Sequence, residues 1–160
     1  MEHEVHLTER PALRVVAKRM PVTLESIGAA LSQAFGEVYA VIGGAGVGTA
    51  GPPFVIYHSI PVPGQPLDIE VCAPVAGTIE PREPWRLEEL PAGTFASRIH
   101  VGPYDTVGAT YQAVSDWIAA HGLAVAGPPR EVYLSPPSTP PDQTQTVIEF
   151  PVSKMPVGVS

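Results

Sequence analysis

Apolar and polar residues alternate along several short stretches of the chain, which is the pattern of strands that bury one face. The clearest case lies near the N-terminus, where Val5 and Leu7 alternate with charged or polar neighbours. Prolines and glycines bound most of these stretches, as expected at turns. The predicted strands cover residues 4–9, 12–19, 54–60, 67–75, 85–90, 93–101, 130–135 and 144–152.

Two other stretches have apolar residues three or four positions apart, which predicts amphipathic helices. The first helix is predicted over about 23–36, with Thr23 as its N-cap and Gly36 as its end. The second is predicted to open at residues 102–103 and to end at Gly122, because proline is tolerated in a first turn and glycine favours a helix end. The order strand, helix, strand, strand therefore occurs twice.

The two halves also repeat in sequence. Residues 51–59 read GPPFVIYHS, and residues 127–135, which follow 76 positions later, read GPPREVYLS. The pairs Ile69-Glu70 and Ile148-Glu149 recur 79 positions apart, so we expect the two glutamates to be equivalent and to share a structural role, with a ligand contact as the alternative for Glu149. Repeated segments are expected to occupy equivalent places in two packed halves.

From this repeat we predict an α+β fold of tandem duplicated strand–helix–strand–strand units. It would have an antiparallel sheet with two helices and a central ligand groove where the units meet. The pseudo-repeats, about 1–76 and 77–155, are expected to form a single domain over residues 1–160.

One position breaks the repeat, because the first copy has Val55 where the second has Glu131. A carboxylate at one of two equivalent strand positions is hard to explain by folding alone, so Glu131 is the leading functional candidate. Tyr133 is expected on the same strand face, and Tyr57 is expected to enter from the first half. The alternative is that Glu131 faces solvent beside Arg130 and has no function.

A carboxyl group held among aromatic rings has a definite chemical preference. Desolvation raises its pKa, and a cation lying over tyrosine faces relieves the cost of the buried charge. Such a site selects flat, hydrophobic, positively charged molecules. If Glu131 instead keeps its proton, it could act as a general acid.

Composition and charge narrow the function further. The formal net charge of −7 argues against direct nucleic-acid binding and is compatible with a cationic ligand. The histidines and Cys72 lack metal-ligand spacing, and the glycine-rich stretch 46–51 precedes prolines instead of a helix, so neither a metal nor a nucleotide cofactor is expected. No signal peptide or membrane span is apparent, which predicts a cytoplasmic protein with no membrane partner.

An ordered set of short motifs resembles the GyrI-like small-molecule-binding domain, which has the SOUL/GyrI-like fold. This is the effector-binding domain of many AraC- and MerR-type regulators and of the DNA gyrase inhibitor protein. The resemblance covers essentially the whole chain and is strongest in its second half. In chain order the motifs are residues 99–104 (IHVGPY), Tyr111, Trp117-Ile118, Gly127-Pro128, residues 131–134 (EVYL) and residues 148–152 (IEFPV).

The resemblance implies two strand–helix–strand–strand units with a ligand groove between them, and it implies that Glu131 is the groove carboxylate. Family members bind lipophilic cations or other drug-like molecules there. Some stand-alone members resemble hydrolases that open cyclopropane-bearing genotoxins with the same glutamate and a tyrosine. The chain has no room for a DNA-binding module beside the two halves, so we do not expect a transcription factor.

We therefore expect a stand-alone, multidrug-like protein that binds hydrophobic cationic or polyaromatic compounds. A first alternative is a hydrolase of cyclopropane-bearing genotoxic compounds, in which Glu131 activates water and a tyrosine, Tyr133 or Tyr57, donates a proton. A lesser alternative is a gyrase-inhibitor-like interaction protein, whose protein partner the sequence does not identify. The expected ligand contacts are Glu131, Tyr133, Tyr57, Tyr104, Phe54, Trp85 and Glu149.

Overall fold

A computed structural model of the protein describes residues 4–59, 64–81, 83–103, 106–135 and 138–154. The fold belongs to the α+β class, with two helices and antiparallel strands, as predicted. The chain divides into two compact units. We call Ala12–Pro91 the N-terminal unit, and Met1–Pro11 together with Ala92–Ser160 the C-terminal unit.

The regular elements follow the predicted order, with one strand that the sequence did not predict, β7. The helices are α1 (Ile27–Gly44) and α2 (Val107–Ala120), and a 3-10 turn covers Pro141–Gln143. The strands are β1 (His6–Arg10), β2 (Leu13–Val22), β3 (Phe54–Tyr57), β4 (Leu67–Pro74), β5 (Arg86–Leu90), β6 (Gly93–Val101), β7 (Leu123–Val125), β8 (Arg130–Tyr133) and β9 (Gln145–Lys154).

Helix α1 is longer than predicted, because Gly36 does not end it. Gly36 faces open space, where its missing side chain costs only some helix propensity. The buried stripe of Ala34, Val38 and Ile42 continues past it and carries the helix to Gly44. The helix begins only at Ile27, since residues 23–26 form a hydrogen-bonded turn instead of a first helical turn.

Helix α2 starts later than predicted and ends where predicted. Gly102 has a φ of +124°, a conformation outside the helical region, so the chain turns there and the helix begins at Val107. Gly122 has a φ of +67° directly after the helix, the left-handed conformation that glycine adopts readily at a helix end.

The N-terminal unit holds an antiparallel sheet in the order β3–β4–β2–β5. Helix α1 packs against β2 and β4, and the ion pair between Lys18 and Glu37 joins the helix to the sheet. Val16 and Val55 are fully buried in this sheet. The unit therefore has a core between one helix and one face of its sheet.

The C-terminal unit holds an antiparallel sheet in the order β1–β6–β9–β8, and β7 pairs with the last residues of β9. Helix α2 packs against β6 and β9. Its core cluster consists of Ala96, Val114, Ile118, Ile148 and Val152. Strand β9 is thus central, and its even-numbered residues at 148 and 152 face the helix.

The register of the hairpins corrects one expected correspondence. Ile56 of β3 lies opposite Glu70, whereas Val132, which is 76 positions after Ile56, lies opposite Val147 and not Glu149. The two glutamates are therefore two residues out of equivalence, although both sit on the same kind of strand face. The pairing of each hairpin fixes the register, and the local likeness of two Ile-Glu pairs does not.

Glu70 lies in a small proton-sharing cluster of the N-terminal unit. His58 Nε2 lies 2.8 Å from Glu70 Oε1, and Glu88 of β5 shares a hydrogen bond with Glu70. Burial opposes ionisation of Glu70, but the hydrogen bonds from Glu88 and His58 outweigh it and lower the pKa of Glu70. The hydrogen bond to Glu70, together with burial, raises the pKa of Glu88, so of the two carboxyl groups Glu88 binds a proton more tightly.

This cluster predicts a pH-dependent effect of E88Q on stability. Folded Glu88 binds its proton more tightly than the unfolded chain does, so its contribution is present at acid pH and is lost as the pH rises through its folded pKa. Glutamine donates the same hydrogen bond without a proton to lose. We expect the Tm of E88Q to exceed that of the wild type by about 1–3 °C at a pH well above the folded pKa of Glu88 and to match it at a pH below the ordinary pKa of a glutamate.

The matched control is E89Q, which changes an exposed neighbour on the same strand and should leave the Tm unchanged at both pH values. Thermal unfolding followed by circular dichroism measures the effect. A Tm of E88Q below that of the wild type near neutral pH would show that the proton is not shared in this way.

Candidate functional site

Glu131 lies on β8 and is only 6% exposed, so the alternative of a solvent-facing side chain is wrong. Its neighbour across the ladder is Ile148 of β9, a member of the core cluster under α2. The carboxylate therefore lies on the face of the sheet that α2 covers. A buried carboxylate requires hydrogen-bond donors around it, because an unsatisfied charge in the interior is costly.

Two tyrosine hydroxyls donate to this carboxylate. Tyr111 of α2 donates to Glu131 Oε2 at 2.5 Å, and Tyr133, two residues along β8, donates to Glu131 Oε1 at 3.1 Å. Both rings are half-buried, and the Tyr111 ring meets Phe150 edge to face with centroids 5.8 Å apart. The site thus joins a helix and a strand through one acid and two phenols.

The sequence predicted Tyr133 beside Glu131 but assigned Tyr111 only to the apolar stripe of the second helix. The repeat contained a signal for it. Phe35 of α1 lies 76 positions before Tyr111, the same offset that separates Val55 from Glu131. Two apolar residues of the first copy therefore correspond to a hydrogen-bonded pair in the second, and the two differences taken together are the signal for this contact.

Glu149 does not share a face with Glu131. It follows Ile148 on β9, so its side chain points to the opposite face, where it is 2% exposed. There it accepts hydrogen bonds from Arg10 Nη2 at 2.9 Å and from Ser97 Oγ at 3.2 Å. The expected grouping of Glu149 with Glu131 at one surface is therefore not what the C-terminal sheet shows.

Arg130 belongs to that opposite face as well. It lies directly across the ladder from Glu149, and its guanidinium carbon is 4.5 Å from the centroid of the Phe95 ring. Because adjacent strand residues point to opposite faces, the positive charge of Arg130 is directed away from Glu131. Arg130 and Glu131 are adjacent in sequence but therefore lie on opposite faces of the sheet.

The other predicted ligand contacts lie in the N-terminal unit or outside the described residues. Tyr57 is half-buried on β3, opposite Ile69, and Phe54 at the start of the same strand is buried. Trp85 is buried just before β5, with Lys18 Nζ 5.7 Å from its ring centroid. Tyr104 lies outside the described residues. Their role as ligand walls stays a prediction.

Two further observations concern metal ions and membrane-spanning helices. In the ranges that the structure covers, no group of three or more His, Cys, Asp and Glu side chains is arranged to hold a metal ion. None of the described helices is both long and apolar enough to cross a membrane. What the site offers is a desolvated carboxylate and two hydroxyls, which suits it to bind a positive charge or to orient a water molecule.

The sequence matches the family described as GyrI-like small molecule binding domain over residues 3–153. No curated protein sequence matches the chain significantly. The C-terminal domain of EcmrR is 26% identical and superposes with a TM-score of 0.85, covering 97% of this chain and 100% of that domain. In the complex of EcmrR with DNA, this chain spans 59% of the length of the EcmrR chain.

More distant structures share the fold at lower identity. A hydrolase from Listeria innocua is 13% identical, with a TM-score of 0.70 over 95% of this chain and 93% of that one. SAV2435, whose structure contains bound tetraphenylphosphonium, is 17% identical, with a TM-score of 0.64 over 94% of each chain. At these identities the comparison shows the fold alone.

The buried pair of Tyr111 and Glu131 predicts strongly coupled substitutions. Y111F removes a donor from a buried carboxylate, and E131V removes the acceptor of the Tyr111 and Tyr133 hydroxyls, so each should lower the free energy of unfolding by about 1–3 kcal/mol. The double variant has the residue types of Phe35 and Val55 and should recover the part of the loss that comes from the Tyr111 hydroxyl, while the loss of the bond from Tyr133 remains. Urea denaturation of the four proteins measures the coupling.

Y39F is the matched control, since Tyr39 is 37% exposed on α1 and belongs to the other unit. It should change the free energy of unfolding by less than ~0.5 kcal/mol. If the losses from Y111F and E131V simply add in the double variant, the two side chains do not depend on each other.

Proposed function

The chain belongs to the family of GyrI-like small molecule binding domains, and on this basis we propose that it binds hydrophobic cationic or polyaromatic compounds through Glu131. The observation that carries the proposal is the burial of this carboxylate, 6% exposed, at the side of α2. A folding core gains nothing from a charge at a position where the equivalent residue is the fully buried Val55.

The groups around Glu131 favour a cation as its ligand. Tyr111 and Tyr133 are neutral phenols, which hydrogen-bond a carboxylate without neutralising its charge. A positive ligand adds Coulomb attraction that is stronger in the interior than in water. The rings of both tyrosines and of Phe150 offer flat faces and edges on which a cation with an aromatic body can pack.

The proposal assigns ligand binding, and not DNA contact, to these 160 residues. Their formal charge of −7 opposes the phosphate contacts on which nucleic-acid affinity depends. The EcmrR chain in the complex with DNA is longer than the part that matches this chain. DNA contact by other parts of a longer protein is therefore compatible with ligand binding by these residues. We also propose a cytoplasmic location, because the single cysteine, Cys72, permits no intrachain disulfide.

Binding of tetraphenylphosphonium to wild type and E131Q tests the proposal directly. The probe is chosen because it is hydrophobic, aromatic and permanently charged, and because SAV2435 was solved with it. Loss of the buried charge should cost about 1–3 kcal/mol, which is a rise in Kd of about 5- to 150-fold. Isothermal titration calorimetry measures both affinities.

Two controls separate the charge effect from a general loss of structure. E89Q removes an exposed carboxylate of the N-terminal unit and should leave the Kd unchanged. Triphenylphosphine oxide, a neutral relative of the probe, should bind wild type and E131Q with similar affinity. Equal affinity of wild type and E131Q for the cation would remove the proposed role of Glu131.

A second candidate function is hydrolysis of a strained, electrophilic compound such as a cyclopropane-bearing genotoxin. The observation in its favour is that the Glu131 carboxylate lies within hydrogen-bond distance of two phenol hydroxyls. In this reaction Glu131 would take a proton from the attacking water, and a tyrosine hydroxyl would donate one to the leaving group.

Mass spectrometry of such a compound incubated with the protein distinguishes the two functions. Catalysis requires water-adduct product in excess of the protein, and E131Q should form it more slowly by about 100-fold or more. Binding without product, with a measurable Kd, would reject the hydrolase and leave the binding proposal standing.

A further inference from the structure

The buried hydroxyl of Thr146, in the C-terminal unit, has no hydrogen-bond partner within the described part of the chain. Thr146 lies on β9 with no exposed surface, and among the described residues its Oγ1 is a buried side-chain polar atom with no hydrogen-bond partner. Thr146 lies two residues from Ile148, the ladder partner of Glu131, so it shares the face of the carboxylate. The leftover hydroxyl therefore adjoins the site already described.

The polar side chains beside Thr146 form hydrogen bonds with other groups. Its ladder partner on β6 is His100, and its ladder partner on β8 is Tyr133. His100 Nε2 donates to the carbonyl oxygen of Pro103 at 3.0 Å, and Nδ1 is hydrogen-bonded to the Thr110 hydroxyl at 2.8 Å. The hydroxyl of Tyr133 donates to Glu131.

A hydroxyl in this position works against folding. Burying it without a partner loses the hydrogen bonds it made to water, and such groups are uncommon in native cores. Valine has nearly the same shape and would avoid the loss. A threonine that costs stability beside a candidate ligand carboxylate is best explained by a partner that arrives with the ligand.

We propose that Thr146 is the second polar recognition point of the Glu131 site and hydrogen-bonds a polar group of the bound molecule. This inference rests on the proposed function and narrows it. The preferred ligand is then a hydrophobic cation that also carries a hydroxyl, amine or carbonyl group, not a cation with a purely hydrocarbon surface. Glu131 selects for charge, and Thr146 selects for the hydrogen-bonding group.

Tyr133 provides the route to this hydroxyl. It lies directly beside Thr146 on the neighbouring strand, and its bond to Glu131, at 3.1 Å, is the longer of the two tyrosine bonds. A cation that pairs with Glu131 competes with this bond. Movement of the Tyr133 side chain would then open Thr146 to the polar group of the ligand.

A matched pair of probes tests the inference. Tetraphenylphosphonium has no hydrogen-bonding group, and (4-hydroxyphenyl)triphenylphosphonium adds a single hydroxyl to it. Wild type should bind the hydroxylated probe more tightly by about three- to tenfold, the range of one net hydrogen bond. T146V should abolish that preference and bind the plain probe as wild type does, while T146S should keep the preference.

Three results separate the possible failures. If both probes bind and T146V keeps the preference for the hydroxylated one, the inference is wrong and the proposed function stands. If T146V weakens both probes equally, Thr146 has a structural role and the inference is also wrong. If wild type binds neither probe, the proposed function fails, and the inference fails with it.

A measurement without ligand checks the physical premise. Because the hydroxyl lacks a partner in the unliganded protein, T146V should raise the Tm by about 2–4 °C, and T146S should not. T146V would then be more stable and less selective than wild type. A lower Tm for T146V would show that the hydroxyl is already satisfied, which would overturn the inference even if the probes differ.

Discussion

The burial of one carboxyl group constrains the C-terminal unit more than any other feature. Glu131 is removed from water, so the fold must supply donors for its two oxygens. It does so from two elements, with Tyr111 on α2 and Tyr133 on β8. The position of the helix over the sheet, the register of β8 on β9 and the chemistry of the site are therefore linked through a single carboxylate.

The duplicated scaffold explains how such a site is tolerated. In the N-terminal unit the corresponding positions are Phe35 and Val55, an apolar pair that needs only packing. In the C-terminal unit both members of the pair are polar, and each satisfies the other. A change at one member alone would leave a buried group without its partner, so the two differences between the copies belong together.

Much of the fold could be predicted from the sequence, because alternation reports directly on which strand face is buried. Strand β6 was predicted with its observed ends, and the strand–helix–strand–strand order holds in the first half, whereas the second half adds β7 directly after its helix. The end of α1 was predicted wrongly, because a glycine such as Gly36 ends a helix only where the buried stripe of the helix also ends. The sheet face on which Glu149 lies, and the residues that lie opposite Thr146 on the neighbouring strands, depend on the register of the strands. Local sequence similarity does not determine that register.

The first strand has a consequence for how the protein is made. β1 precedes the whole N-terminal unit in sequence but pairs with β6, and Arg10 reaches Glu149, which lies 139 positions later. During synthesis the N-terminal unit can fold before β6, the strand that pairs with β1, has left the ribosome. The unit that holds Glu131 therefore assembles from two segments that the whole N-terminal unit separates in sequence, and β6 is the strand on which they meet.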